Sequence, residues 1–244
     1  MRVFVLSPTR RQSAIFLTCA ILTLAALIFT LSGGAAAVFA PKDNIPIYSV
    51  KTNGSQIALT LDVAWGSQMT GEQLDIFDRY NVKVTFYVTG RWAELNAEEL
   101  REIAGRGHEI GSHGHKHLDF VKLSEDEMIQ ELKLAANAIE KVTGNPPATF
   151  RAPYGSWNGK VVDVVCGQKY EFVQWDVDSL DWKGLSPRQM EERILPKVRS
   201  GSILLFHNNG GHTTEALPSI IEALQAKGFR FVTVSALIGE GLED

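Results

Sequence analysis

The segment Ser112-His113-Gly114-His115-Lys116-His117 holds three of the six histidines in a chain of 244 residues. His113 and His117 stand four apart, a spacing that puts two imidazoles on one face of a helical turn and lets both reach a single metal ion. His115 is two residues from each and would point elsewhere. Standing alone, such a pair is a solvated polar turn, so its meaning depends on which groups converge with it. Hydrolysis at a metal needs a base to take a proton from water and an acid to return one to the leaving group. Polar groups that could converge with the pair stand at the ends of other apolar runs: Asp62, Arg151, the pair Asp178 and Asp181, and His207.

The elements that must position these groups alternate along the chain. Apolar, β-prone runs cover Ile57–Leu61, Val82–Val88, Glu109–Ser112, Thr149–Ala152, Glu171–Val177, Ile203–Phe206 and Arg230–Val234. Helical stretches separate them. Ser124-x-x-Glu127 is a capping box that opens a helix with Met128, Leu132, Ala135, Ile139 and Val142 near one face, stopped by Gly144 and Pro146. Ser186-Pro187-x-Gln189 opens a second helix, and Thr214 to Lys227, closed by Gly228, makes the last. Strand–helix alternation predicts an α/β fold with a parallel sheet and covering helices. In a barrel of that kind, functional side chains gather where strands end. Five strands here end in a carboxylate, two imidazoles, a guanidinium, a carboxylate pair and a lone imidazole.

Composition narrows the function further. Residues 1–40 hold Arg2, Arg10 and Arg11 with no acid, then an uncharged run of 18 residues from Ala14 to Leu31. That length sits at the lower edge of a membrane span, and the preceding arginines predict a cytoplasmic N-terminus with the remainder exported. Small-residue sites at Ala35-x-Ala37 and Val38-x-Ala40 would permit cleavage. The reading is therefore a signal peptide or membrane anchor over 1–40, a linker over 41–54 and one domain over 55–240. That domain would face outward on its anchor or be secreted, acting as a monomer. Without the first 40 residues, 21 basic residues face 28 acidic ones, a net of −7, which argues against a nucleic-acid partner. Cys19 and Cys166, one in the apolar run and one in the domain, are not a disulfide pair.

The five strand-end segments, in this order, resemble the motifs of the polysaccharide deacetylase family (NodB homology, carbohydrate esterase family 4) over residues 55 to 238. Thr60-Leu61-Asp62 is similar to the first motif, Ser112-His113-x-x-x-His117 to the second and Arg151-x-Pro153-Tyr154-Gly155 to the third. Asp178-x-x-Asp181-Trp182 and Leu205-Phe206-His207 are similar to the fourth and fifth. The resemblance implies a distorted (β/α) barrel of about seven parallel strands with surrounding helices. It also implies metal-dependent removal of N-acetyl groups from amino sugars of a cell-wall polysaccharide, peptidoglycan before chitin-like polymers. His113 and His117 would hold a divalent ion, with zinc the first choice over cobalt, nickel or manganese. Asp62 would be the general base, oriented by Arg151. His207 would be the general acid, kept cationic by Asp181, with Asp178 as second choice. The backbone N–H of Tyr154 would face the oxyanion. Trp182, Trp65 and Trp157 would stack on sugar rings or wall the acetyl pocket, and Leu205 would line it.

One position departs from the pattern. The family's first motif has two consecutive aspartates, the second a metal ligand, and here that second position is Val63. Three outcomes follow: weak binding through the two histidines, coordination by a shifted Asp62, or loss of metal chemistry with sugar binding kept. A metalloprotease built on His-x-x-x-His is disfavoured, because the glutamate such a site needs beside its first histidine is Gly114.

Overall fold

A computed structural model describes residues 45–241. The expected anchor, including the run over 14–31, lies outside the described residues. Among those described, no helix is long and apolar enough to cross a membrane.

The chain runs β1 (Gln56–Val63), α1 (Thr70–Arg79), β2 (Thr85–Val88), α2 (Gly90–Leu95), α3 (Ala97–Gly105) and β3 (Glu109–Ser112). It continues through α4 (Glu125–Thr143), β4 (Thr149–Phe150), α5 (Gly159–Gly167), β5 (Glu171–Phe172), β6 (Val177–Asp178) and α6 (Pro187–Ile194). It closes with β7 (Ile203–His207), α7 (Thr213–Ala226), β8 (Arg230–Phe231) and α8 (Val234–Gly239). Every strand pair is parallel, in the order β5-β4-β3-β2-β1-β7-β6, with β8 paired to the start of β1. The expected capping box forms at Ser124 of α4, and the helix start expected at Ser186 opens α6 with a capping box of its own.

The run Glu171–Val177, expected as one strand, is two, and they lie at opposite ends of the strand order. Only residues 173–176 join them, so the sheet must curl until its ends approach each other. This is the distorted (β/α) barrel. The backbone between the two strands changes partners instead of continuing one ladder: the Gln174 N–H donates to Ile47 O at 2.7 Å, and the Asp176 N–H to Ile203 O at 3.2 Å. Residues 47–50, within the stretch read as a linker, bridge the seam. Ile47 N–H donates to Phe172 O at 2.7 Å and Val50 N–H to Gly201 O at 2.9 Å. Gly201 has φ +80°, and a Cβ there would fall 1.6 Å from Val50 O, so the bridge requires glycine. The expected strand Arg230–Val234 is also shorter. It ends at Phe231, because the Thr233 side chain caps α8.

β1 is buried on both faces, and its alternation separates two environments. Ile57, Leu59, Leu61 and Val63 pack outward against the helices, in a cluster with Phe77, Phe86, Phe206 and Leu217. Ala58 faces a smaller inner cluster with Tyr87, Val173 and Ile203, and Thr60 and Asp62 share its parity. Full burial of a Leu or Phe side chain stabilises by about 1.5–3 kcal/mol. The outer layer carries most such residues, which leaves the barrel interior free to hold polar ones.

Candidate active site at the barrel mouth

The register of β1 with β7 sets Asp62 directly beside His207. Arg151, fully buried after β4, reaches across the interior to this corner. Its Nη1 donates to Asp62 Oδ1 at 2.8 Å and to Thr60 Oγ1 at 2.7 Å, and its Nη2 donates to Gln174 O at 2.9 Å. The guanidinium also lies 4.1 Å over the Tyr87 ring. Burial by itself would raise the Asp62 pKa, but His113, Arg151 and His207 outweigh it and hold the carboxyl below its ordinary 3.8. Asp62 is an ionised carboxylate at neutral pH.

The two histidines come together, though not on a helix. β3 ends at Ser112, and residues 113–119 form a loop in which Gly114 has φ +71° and His117 φ +58°. The four-residue spacing works here because the chain doubles back, which a helix would not require. His113 Nδ1 pairs with Arg151 O at 2.8 Å, so its Nε2 faces inward, 3.6 Å from Asp62 Oδ2. The His113 and His117 ring centroids are 5.0 Å apart. Burial lowers the pKa of both, His117 to about 4, so each is neutral and able to donate a lone pair. His117 Nδ1 is buried without a hydrogen-bond partner. Two neutral imidazoles, one with an orphaned nitrogen, fit the nitrogen side of a divalent-metal site. The carboxylate side is missing: Val63 is 1% exposed and packed into the outer apolar cluster. Among the described residues no group of three potential ligands converges, one fewer protein ligand than catalytic zinc sites ordinarily use.

The acid corner is complete. Asp181 Oδ1 accepts from His207 Nδ1 at 2.7 Å and from Trp182 N–H at 2.9 Å. Its Oδ2 accepts from His207 N–H at 2.7 Å and from Thr213 Oγ1 at 2.6 Å. Burial opposes a charge on His207, yet its hydrogen bond to Asp181 and the field of Asp62 prevail and raise its pKa above 6.5. Asp178, the second choice for this role, instead accepts the Leu180 N–H at 2.8 Å and caps a turn. Its carboxylate bonds locally and adds to His207 only a smaller through-space pull, because Leu180 takes φ +55° to bring Asp181 round to the imidazole. A left-handed non-glycine residue costs about 1–3 kcal/mol. His117, Tyr154 (φ +63°) and Leu180 are three of only five such residues among those described, and all three shape this mouth.

Aromatic rings form the rim. Tyr154 and Trp65 flank His117, at centroid distances of 4.7 and 4.6 Å. They are 67% and 59% exposed, and Trp182 is 60% exposed with Lys183 Nζ 4.9 Å from its ring. Leu205 is buried in the β7 wall. Trp157 differs: it is half-buried against the cluster of α4 and α5, and its indole N–H donates to Tyr48 Oη at 2.8 Å. Packing holds that ring, not an open sugar platform.

Several supporting residues were not legible beforehand. Glu131 Oε2 accepts the backbone N–H groups of both His115 and Lys116, at 2.9 and 2.8 Å, and fixes the histidine loop. Its signal was an acid on the apolar stripe of α4, between Met128 and Ala135. Gly210 admits no side chain, because a Cβ would lie 2.6 Å from Asp181 Oδ2. Gln174, which meets Arg151 through its backbone carbonyl, left no signal at all.

A curled parallel barrel with paired imidazoles and a carboxylate–histidine couple at its mouth defines a hydrolase-type scaffold. The Polysaccharide deacetylase profile matches residues 49–173. The chain is 34% identical to a peptidoglycan-N-acetylglucosamine deacetylase of Bacillus cereus over 194 residues, covering 78% of this chain and 70% of that one. It therefore belongs to the polysaccharide deacetylase family. It is also 32% identical to the uncharacterized protein YlxY of Bacillus subtilis, covering 80% of this chain but only 61% of that protein's length. Among solved structures, wild-type BA3943 of Bacillus anthracis, described as a CE4 family pseudoenzyme, superposes with a TM-score of 0.78 at 31% identity, covering 82% of this chain and 71% of that one. A mutant of BA3943 is described as having restored enzymatic activity.

Proposed function

We propose that this chain hydrolyses the N-acetyl group of amino sugars in a cell-wall polysaccharide, peptidoglycan first, releasing acetate and leaving a free amine. The observation that carries this reading is the pairing, on adjacent strands, of an ionised Asp62 held by Arg151 with a His207 whose pKa is raised by its hydrogen bond to Asp181. Two titratable groups whose environments drive their pKa values apart are what acid–base hydrolysis of an amide needs. His113 and His117 would hold a divalent ion, zinc first, which when bound supplies carbonyl polarisation and an acidified water. Asp62 takes the proton from the attacking water, with Arg151 fixing the carboxylate's orientation. His207 gives its proton to the nitrogen as the C–N bond breaks. The backbone N–H of Tyr154 faces the developing oxyanion, and Trp65, Trp182 and Leu205 border the acetyl and sugar contacts. The domain works outside the cytosol, anchored through residues 14–31 or released from them.

The test is acetate release from N-acetylglucosamine oligomers and from peptidoglycan, with metal-stripped protein and after adding zinc, cobalt, nickel or manganese. Metal-stimulated release is expected; none under any metal overturns the proposal. Val63 in the apolar layer favours a second reading, a sugar-binding member with little metal chemistry. It predicts oligosaccharide binding without acetate.

A further inference from the structure

Beside the candidate site lies a cavity of about 310 Å³, lined by Trp65, Arg91, Leu95, Asn96, Lys116 and His117 among others. It shares His117 and Trp65 with the site, so its occupant would sit next to whatever reacts there. The walls come from two loops sewn together by backbone hydrogen bonds. Gly90 N–H donates to Gly114 O at 2.9 Å, and Arg91 N–H to His115 O at 3.0 Å. Close approach demands glycine at position 90, because a Cβ would meet His115 Nδ1 at 2.5 Å and Ala135 Cα at 2.7 Å. The seam carries Arg91 and Lys116 to one edge of the cavity, both exposed.

The charge of this edge is one-sided. No Asp or Glu lines the cavity; Glu131 of α4 is turned inward onto the loop's backbone N–H groups, and Asp119, the acid on the loop itself, is paired with Lys122 at 3.1 Å. Neither Arg91 nor Lys116 makes an ion pair among the described residues, in a chain whose net charge is −4. Two unpaired cations beside an open indole face make a surface for a sugar that carries an anion: the ring stacks and the carboxylate meets the cations.

We infer that this cavity is a specificity subsite for a carboxylate-bearing sugar adjoining the acetylated amino sugar, with Arg91 and Lys116 as its anion contacts and Trp65 as its platform. The inference rests on the reading of the substrate as an amino-sugar polymer, and it selects polymers in which a lactyl- or uronic-acid-bearing sugar alternates with the reacting one. Neutral chitin-type chains would leave the cations unused.

Binding can be read without catalysis, through tryptophan fluorescence or calorimetry. The probes are a neutral N-acetylglucosamine tetramer and an equally long peptidoglycan glycan fragment with free lactyl carboxylates. The wild-type protein should prefer the acidic glycan. Exposed charge pairs contribute little each, so the preference should be about three- to tenfold and should shrink in high salt. Arg91→Gln with Lys116→Gln should abolish the preference while leaving affinity for the neutral tetramer unchanged, and Trp65→Ala should weaken both. Equal affinity of the wild type for the two glycans, or a preference that survives the double substitution, overturns the subsite. Acetate assays separate the two claims: a preference without acetate keeps the subsite and defeats the hydrolase, and acetate without a preference does the reverse.

Discussion

On the β7 side of the barrel mouth, Asp181 accepts four hydrogen bonds and raises the pKa of His207 against the opposing effect of burial. On the β3 side, His113 and His117 face each other, neutral, and the position that should bring them a carboxylate of their own is Val63, packed among apolar side chains. Asp62 lies between the two halves, held by Arg151 and 3.6 Å from His113. One half is finished by its own hydrogen bonds; the other depends on a ligand set short by one. Proton-transfer machinery can therefore stand in this fold independently of tight metal binding, and each half can be broken alone.

The largest effect should come from the shared residue. Asp62→Asn keeps the shape and removes the base, and acetate release should fall by ~10²–10⁴-fold; activity within a few-fold of wild type would exclude Asp62 as base. Next, His113→Ala should abolish retention of zinc after dialysis, because one imidazole is a poor site for a divalent ion. Elemental analysis reads this directly, and unchanged metal content would move the metal elsewhere. Val63→Asp asks whether the incomplete half can be completed. It should raise zinc retention by about 10²-fold or more if the new carboxylate turns inward, comparable to or beyond the outer-shell effects known in metal sites. If the carboxylate stays in the apolar layer, the protein loses stability and gains no metal.

Asp181→Asn tests the finished half through pH. The His207 pKa is raised above 6.5 in the fold, so the stability gained from its protonation is fully present below about pH 6.5 and is lost as pH rises through the folded value. Without the Asp181 charge the folded pKa falls. The alkaline limb of kcat/KM should then move to lower pH, and the melting temperature should lose its acid-side gain. The smallest effect is expected from Glu131→Gln, which keeps one acceptor for the His115 and Lys116 N–H groups. Metal retention should weaken by several-fold, with the pH profile unmoved; a shifted profile would mean that Glu131 acts on the acid half after all.

Most of the site could be read before any coordinates, for a local reason. Each segment delivers its group at the end of an apolar strand, and parallel strands with helical returns put those ends on one face. Asp62, Arg151, His113 and His207 meet because each sits at or just beyond the end of its run, and His117 and Asp181 follow in the loops after theirs. The preference for Asp181 over Asp178 came only from the family resemblance; its physical reason is the left-handed turn at Leu180, which carries the Asp181 carboxylate to His207 while Asp178, at the end of β6, bonds the Leu180 N–H. Glu131 acts on backbone N–H groups of a distant loop, and the glycine at 210 by leaving room for the Asp181 and Thr213 side chains, so neither partner could be read from the neighbouring sequence.

By itself the sequence determined the parallel strand–helix plan, the identities of the converging groups and the substitution at Val63, because periodicity and residue type are properties of short segments. The tertiary structure alone decided that the barrel closes by splitting one apolar run into β5 and β6 across a seam bridged by residues 47–50. It alone decided that the histidines meet on a loop and not a helix, and that Val63 faces the apolar layer. Those outcomes depend on strand register and on the direction of individual side chains, which only the packing of distant segments can fix.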